Sequence, residues 1–137
     1  MIFLDAKVVS KSLRKIPDPS VTAWLRRYDA ELALPAVTIA ELAFGIEKSR
    51  SDERSSRLEQ GLAAWRHRFA DRIFAFTEAA ALACGDIMST ALRQGRPMTA
   101  PDGMIAAIAR VNHGRLATRN VSDFATTGLD LVSPWDF

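Results

Sequence analysis

With a single cysteine among 137 residues, Cys84, the chain cannot close an internal disulfide. Cys84 lies in the apolar stretch 79–87, away from any base or cation that would lower a thiol pKa, and reads as a buried, inert thiol. No apolar run approaches the roughly 18 residues that a membrane span requires. The opening Met-Ile-Phe-Leu meets Asp5 at once, too short a run for the centre of a signal peptide. A soluble, cytoplasmic protein with no membrane partner is the expectation. Histidine is scarce too, and His67 and His113 sit at expected helix ends, where a cation suits the helix dipole better than a general base does. Gly-x-Gly-x-x-Gly, Gly-Lys-Ser/Thr, Gly-x-Ser-x-Gly and His-Glu-x-x-His are all missing, which removes the chemistries tied to those motifs. An aspartyl-phosphate phosphatase starting at Asp5 would want a second acid two residues on, where Lys7 stands.

What is present suits one domain. A length of 137 residues fits the roughly 100 to 200 typical of a single domain, and 48% hydrophobic residues supply its core. Lys plus Arg number 18 against 16 Asp plus Glu, a net charge of only +2. Arginine dominates the basic side, and its planar donor suits phosphate, so an anionic partner such as RNA is allowed without being required.

Short apolar runs alternate with longer helical patterns. Strands are expected over 2–4, 32–34, 73–76 and 116–118. Helices are expected from Asp18-Pro19 to Tyr28 and over 38–48, 52–67, 77–93 and 102–113, with Gly114 as a C-terminal cap. The pattern 52–67 reads as half-exposed, and 77–93, apolar around most of its circumference, as an interior helix. This alternation predicts an α/β fold with a mostly parallel sheet covered on both faces. Ligands in such folds bind beyond the carboxyl ends of the strands.

Four acids fall at those junctions. Asp5 ends the first strand, Glu41 follows the second in Thr38-Ile39-Ala40-Glu41, Asp102 stands in Thr99-Ala100-Pro101-Asp102, and Asp123 in Asn120-Val121-Ser122-Asp123. Taken singly, the last three fit a capping box, in which an acid three residues after Ser, Thr or Asn serves a helix start. Taken together, acids gathered at one sheet edge would repel one another unless a cation intervened. Mg²⁺ or Mn²⁺ suits an all-carboxylate donor set, and such a site supports phosphodiester hydrolysis.

The segments Ile2-Phe3-Leu4-Asp5, Thr38-Ile39-Ala40-Glu41-Leu42, Gly95-Arg96-Pro97-Met98, Pro101-Asp102-Gly103-Met104-Ile105-Ala106-Ala107 and Thr118-Arg119-Asn120-Val121-Ser122-Asp123-Phe124 resemble, in that order, the signature of PIN-domain ribonucleases, and most of all VapC-type toxins of toxin–antitoxin pairs. The tail from Gly128-Leu129 to Pro134-Trp135 fits as well, so the resemblance spans essentially the whole chain. It implies a single nuclease domain over 1–137, a three-layer α/β/α sandwich, a metal-dependent endoribonuclease of a type II system, and neutralisation by an antitoxin protein. It also implies that Asp5, Glu41, Asp102 and Asp123 form the acidic catalytic quartet. Asp5 and Asp102 are then the first choices for direct Mg²⁺ or Mn²⁺ ligands, while Thr118 and Asn120 match the polar supporting positions.

Two departures stand out. Where the family usually has Thr-Asn after the first aspartate this chain has Ala6-Lys7, and Lys11 stands where an acid is common. The Lys7 ammonium either competes with a metal for the carboxylates or snorkels to solvent. The alternative to an enzyme is therefore a PIN-fold interaction protein that binds an antitoxin without cleaving RNA. Arg96 and Arg119 adjoin acid-bearing loops and are the candidates to hold RNA phosphates. Trp24, Trp65 and Trp135 either stack on bases or pack inside. Trp24, Leu25 and the apolar side of 52–67 offer surplus hydrophobic surface, from which a homodimer and an antitoxin groove are expected.

Overall fold

The computed structural model describes residues 1–50 and 53–137. Its first strand, β1 (Ile2–Leu4), is buried throughout and wholly apolar, as expected of a strand with both faces covered. Side-chain alternation along β1 divides the core in two. Ile2 and Leu4 join Val8, Val9, Trp24 and Phe69 on one face, while Phe3 joins Ile87, Ile105, Ile108 and Phe124 on the other. The remaining strands are β2 (Leu32–Pro35), β3 (Ile73–Phe74), β4 (Arg115–Ala117) and β5 (Leu131–Val132). They pair in parallel in the order β3-β2-β1-β4-β5.

Among the described residues six α-helices cover this sheet: α1 (Ala6–Ser12), α2 (Pro19–Arg27), α3 (Ala36–Lys48), α4 (Arg54–Arg68), α5 (Glu78–Arg93) and α6 (Ala100–Val111). The result is a three-layer α/β/α sandwich. The chain leaves β1 toward β2 and β3, then returns to β1's other side as β4. The carboxyl end of β1 is thus the point where the winding reverses, the usual crevice of an open parallel sheet.

Local chemistry starts the helices where the sequence suggests. Asp18 caps α2, its Oδ1 accepting from the amides of Ser20 at 2.9 Å and Val21 at 3.2 Å, with Pro19 in the first turn. Thr77 caps α5 by accepting from the Ala80 amide at 3.1 Å.

Several expectations need correction. Helix α1 and strand β5 were not expected: α1 has only two turns and contains the β-branched pair Val8-Val9, while β5 pairs only two residues of the terminal segment. β3 stops at Phe74, short of the expected Phe76, because the pairing with β2 ends where Pro35 leads into α3. Helix α6 begins at Ala100, capped by Thr99, instead of at Asp102. The expected start at Asp52 lies outside the described residues.

The interior helix is α6, which buries Gly103 and every residue from Ile105 to Ala109. Helix α5 covers it with one stripe, Ala80, Cys84, Ile87 and Ala91, and leaves Leu82 73% and Leu92 66% exposed. Burial raises the Cys84 thiol pKa, so the thiol stays protonated. After α6 the left-handed residue is His113, with φ 54°, and Gly114 donates to the Ala109 carbonyl at 2.9 Å. Gly114 is needed for another reason: a Cβ there would stand 2.5 Å from the Phe3 ring. Trp24 is 2% exposed and belongs to the core, so it adds nothing to a dimer surface.

Candidate active site

Asp5 stands at the carboxyl end of the central strand. Its amide still bonds the Ala117 carbonyl of β4 at 3.0 Å, while its side chain has already turned to begin α1. Oδ1 accepts from the Ala6 amide at 2.8 Å, and Oδ2 accepts from Thr118 Oγ1 at 2.8 Å. Thr118 is fully buried, and its Oγ1 also accepts from the Asn120 amide at 3.2 Å. One threonine therefore couples Asp5 to the start of the segment that carries Asp123. Asn120 acts there through its backbone, its carbonyl accepting from the Asp123 amide at 3.0 Å.

Glu41 arrives from the other neighbour of β1. Thr38, expected as part of a cap, is buried within α3 and donates its hydroxyl to the Leu4 carbonyl at 2.8 Å, next to Asp5. Pro35 occupies the cap position of α3, so the capping-box reading fails for Glu41. Glu41 lies one turn beyond Thr38 on the same side of the helix. Thr38 is thus a positioning residue that sequence reasoning assigned to the wrong job; the signal was a hydroxyl set within Ala36-Val37-Thr38-Ile39, at a helix start that follows a buried strand. The cap reading also fails for Asp123, because Asn120 makes no side-chain cap bond. It holds for Asp102, whose amide donates to Thr99 Oγ1 at 3.4 Å in the first turn of α6.

Electrostatics ties these acids together. Burial raises the Asp5 pKa above its ordinary value, and the charge of Asp123 adds to the rise, against hydrogen bonds from Thr118 and Ala6. Burial likewise raises Glu41, with the charges of Asp5 and Asp102 adding, to about 6. Asp102 is raised by burial first and then by Asp5 and Asp123. Each of the four acids thus enters at least one of these mutual repulsions. Lys7, which lines a groove together with Glu41, opposes them and lowers the pKa of Asp5, Glu41 and Asp102 alike.

The donor set is entirely carboxylate, which suits a hard divalent cation, and Glu41 Oε1 is buried without a hydrogen-bond partner. Among the described residues no three His, Cys, Asp or Glu side chains are gathered into a ready coordination cage. The residues fit such an ion by the chemistry of the donor set.

Arg96 donates from its NH2 group to the Ser122 carbonyl at 2.9 Å, bracing the loop before α6 against the Asp123 segment. Arg119 places its guanidinium 5.0 Å from the centre of the Trp135 ring. Trp65 stacks on Phe69 with ring centres 4.9 Å apart. A groove of about 640 Å³ opens beside the acids between α1, α3 and α4; its walls include Leu42, Ile46 and Leu62, with Lys7, Lys11 and Arg57 among its basic residues.

The PIN domain family matches residues 2–128. The chain is 35% identical to the VapC ribonuclease Y4jK of Sinorhizobium fredii, over 99% of both chains. It is also 35% identical to Toxin FitB of Neisseria gonorrhoeae, over 98% of this chain and 99% of that one. The crystal structure of FitAcB from Neisseria gonorrhoeae superposes with a TM-score of 0.90 at 34% identity, covering all of both chains.

Proposed function

The chain belongs to the PIN domain family, among its VapC-type toxins, and from that membership we propose that it is an endoribonuclease that hydrolyses RNA with Mg²⁺ or Mn²⁺ held by Asp5, Glu41, Asp102 and Asp123. What supports the reading is placement: Asp5 at the carboxyl end of β1 is tied through Thr118 to the segment that carries Asp123, and Asp102 and Asp123 line one cleft, while the raised pKa values of Asp5, Glu41 and Asp102 agree with this crowding. Like charges brought together in a folded protein call for a cation. When bound, that ion supplies Lewis-acid charge to activate a water and to stabilise the leaving oxygen.

The protein's part is placement. Thr118 and the Ala6 amide fix the rotamer of Asp5, and the Thr38 bond to Leu4 fixes the turn that carries Glu41. Glu41, whose buried Oε1 has no hydrogen-bond partner among the described residues, would offer that oxygen to the ion. A toxin of this kind acts under restraint by an antitoxin. The groove between α1, α3 and α4 favours a segment that joins apolar side chains to acidic ones, since its residues combine apolar walls with cations. A second copy of the chain is a further partner, through exposed apolar groups such as Phe44 on α3.

The second reading, an interaction protein without cleavage, draws on Lys7, whose charge already offsets the acids. RNA cleavage measured with Mg²⁺ or Mn²⁺ in the parent chain, Asp5→Asn and Asp102→Asn decides between them. The nuclease reading expects activity in the parent chain alone. Inactivity of the parent supports the second reading, and activity in both variants removes the carboxylate site.

A further inference from the structure

We propose that a second cleft, between the loop 95–99 and the segment 122–126, is a nucleoside pocket that receives the RNA residue adjoining the reactive phosphate. This rests on the nuclease reading and names what that site reads.

The cleft encloses about 370 Å³, within the range of small-ligand pockets. Asp102 and Asp123 line it as well as belonging to the acidic cluster, so a phosphate held at the cluster brings its own nucleoside to the cleft's mouth. The same two carboxylates repel a free phosphate inside it, which leaves the neutral base and ribose as the better occupants. Pro97 and Met98 give part of the wall an apolar surface, and a thioether packs well against an aromatic ring.

Thr126 also lines the cleft. Its Oγ1 is buried and has no hydrogen-bond partner among the described residues, and a hydroxyl can both donate and accept. An orphaned hydroxyl just beneath the wall of a polar cleft is what a base edge or a ribose hydroxyl would satisfy once a nucleoside seats there and the Thr126 side chain turns to meet it. The walls are braced before anything binds: the Arg96 bond to the Ser122 carbonyl, at 2.9 Å, spans the two segments, and Gly95 supplies the left-handed turn, φ 71°, that starts the loop. Asp102 and Asp123 belong to both sites, whereas Arg96, Met98, Ser122 and Thr126 line the cleft without being among the catalytic acids, so the pocket is tested at these residues.

The test is an NMR titration of the full chain with Mg²⁺ and each of 5′-AMP, GMP, CMP and UMP, together with the 2′-deoxy form of each. Shifts are expected at the amides of 96, 98 and 99 and 122–126, with one base preferred. Thr126→Val should weaken that preferred nucleotide by about fivefold, the effect of one neutral hydrogen bond, while Thr126→Ser retains it. Equal loss for ribo and deoxy forms assigns the hydroxyl to the base; loss confined to the ribo form assigns it to the 2′-hydroxyl. Ser122→Trp, at an exposed rim position, should abolish binding and serves if Thr126→Val does not fold. No shift in the parent chain, shifts elsewhere, or parent-like binding in both Thr126→Val and Ser122→Trp would overturn the pocket. RNA cleavage with a base preference untouched by Thr126→Val defeats the pocket alone, whereas nucleotide binding at the cleft without cleavage defeats the nuclease reading alone.

Discussion

Both carboxylate oxygens of Asp5 are engaged by the protein, so its orientation depends on Thr118 as much as on the backbone. Thr118→Val keeps the shape and removes the bond. RNA cleavage in that variant is expected to fall about 10- to 100-fold, the usual effect of losing the partner that orients a ligand; steady-state kinetics will check it. Glu41 makes a pH prediction. Its folded pKa, about 6, exceeds its ordinary 4.5, so between those values the folded chain keeps a proton that the unfolded chain has released. The associated stability is fully present below about pH 4.5 and is lost as pH rises through 6. Asp5 and Asp102 are raised as well and act with the same sign. In metal-free protein, Glu41→Gln should therefore gain about 1 kcal/mol over the parent at pH 7.5, a figure reduced for partial exposure, and almost nothing at pH 4.5. Urea unfolding at the two pH values measures this.

At the scale of elements, the helix starts were legible where a side chain does the capping. Asp18-Pro19 announced α2, and Asp18→Ala should lower stability by about 1 kcal/mol in thermal or urea melts. The sequence was less informative where tertiary contacts decide. Helix α1 is capped by Asp5, an acid read only as a site residue, and its seven residues are too few to display a helical period. The apolar content of α5, covering most of its circumference, suggested an interior helix, yet much of it is alanine, and the helix packs by one narrow stripe. Gly114 looked like a left-handed cap, but the left-handed residue is His113, and the glycine answers to Phe3 on a strand more than 100 residues away in sequence. Gly114→Ala should accordingly be destabilised by about 1–3 kcal/mol through overpacking, visible as a lower melting temperature.

At the scale of the molecule, the order β3-β2-β1-β4-β5 does the assembling. It sets Asp5 between an element that delivers Glu41 and one that delivers Thr118 and Asp123, while α6 brings Asp102 to the same region. Asp5, Asp102 and Asp123 were readable because each sits at the start of an element, whereas Glu41 lies in the second turn of α3 and was readable because that helix follows a buried strand directly. The bonds that hold them, Thr38 to Leu4 and Thr118 to Asp5, span 34 and 113 positions and leave no local trace in sequence. A divalent cation shared by these acids is the central claim, and calorimetric titration of Mn²⁺ tests it most directly. The parent chain should bind Mn²⁺ and release more protons near pH 6 than near pH 8, with affinity at least about tenfold weaker in Asp5→Asn and Asp102→Asn. Binding of equal strength in the parent and both variants, or no binding by the parent at all, would contradict it.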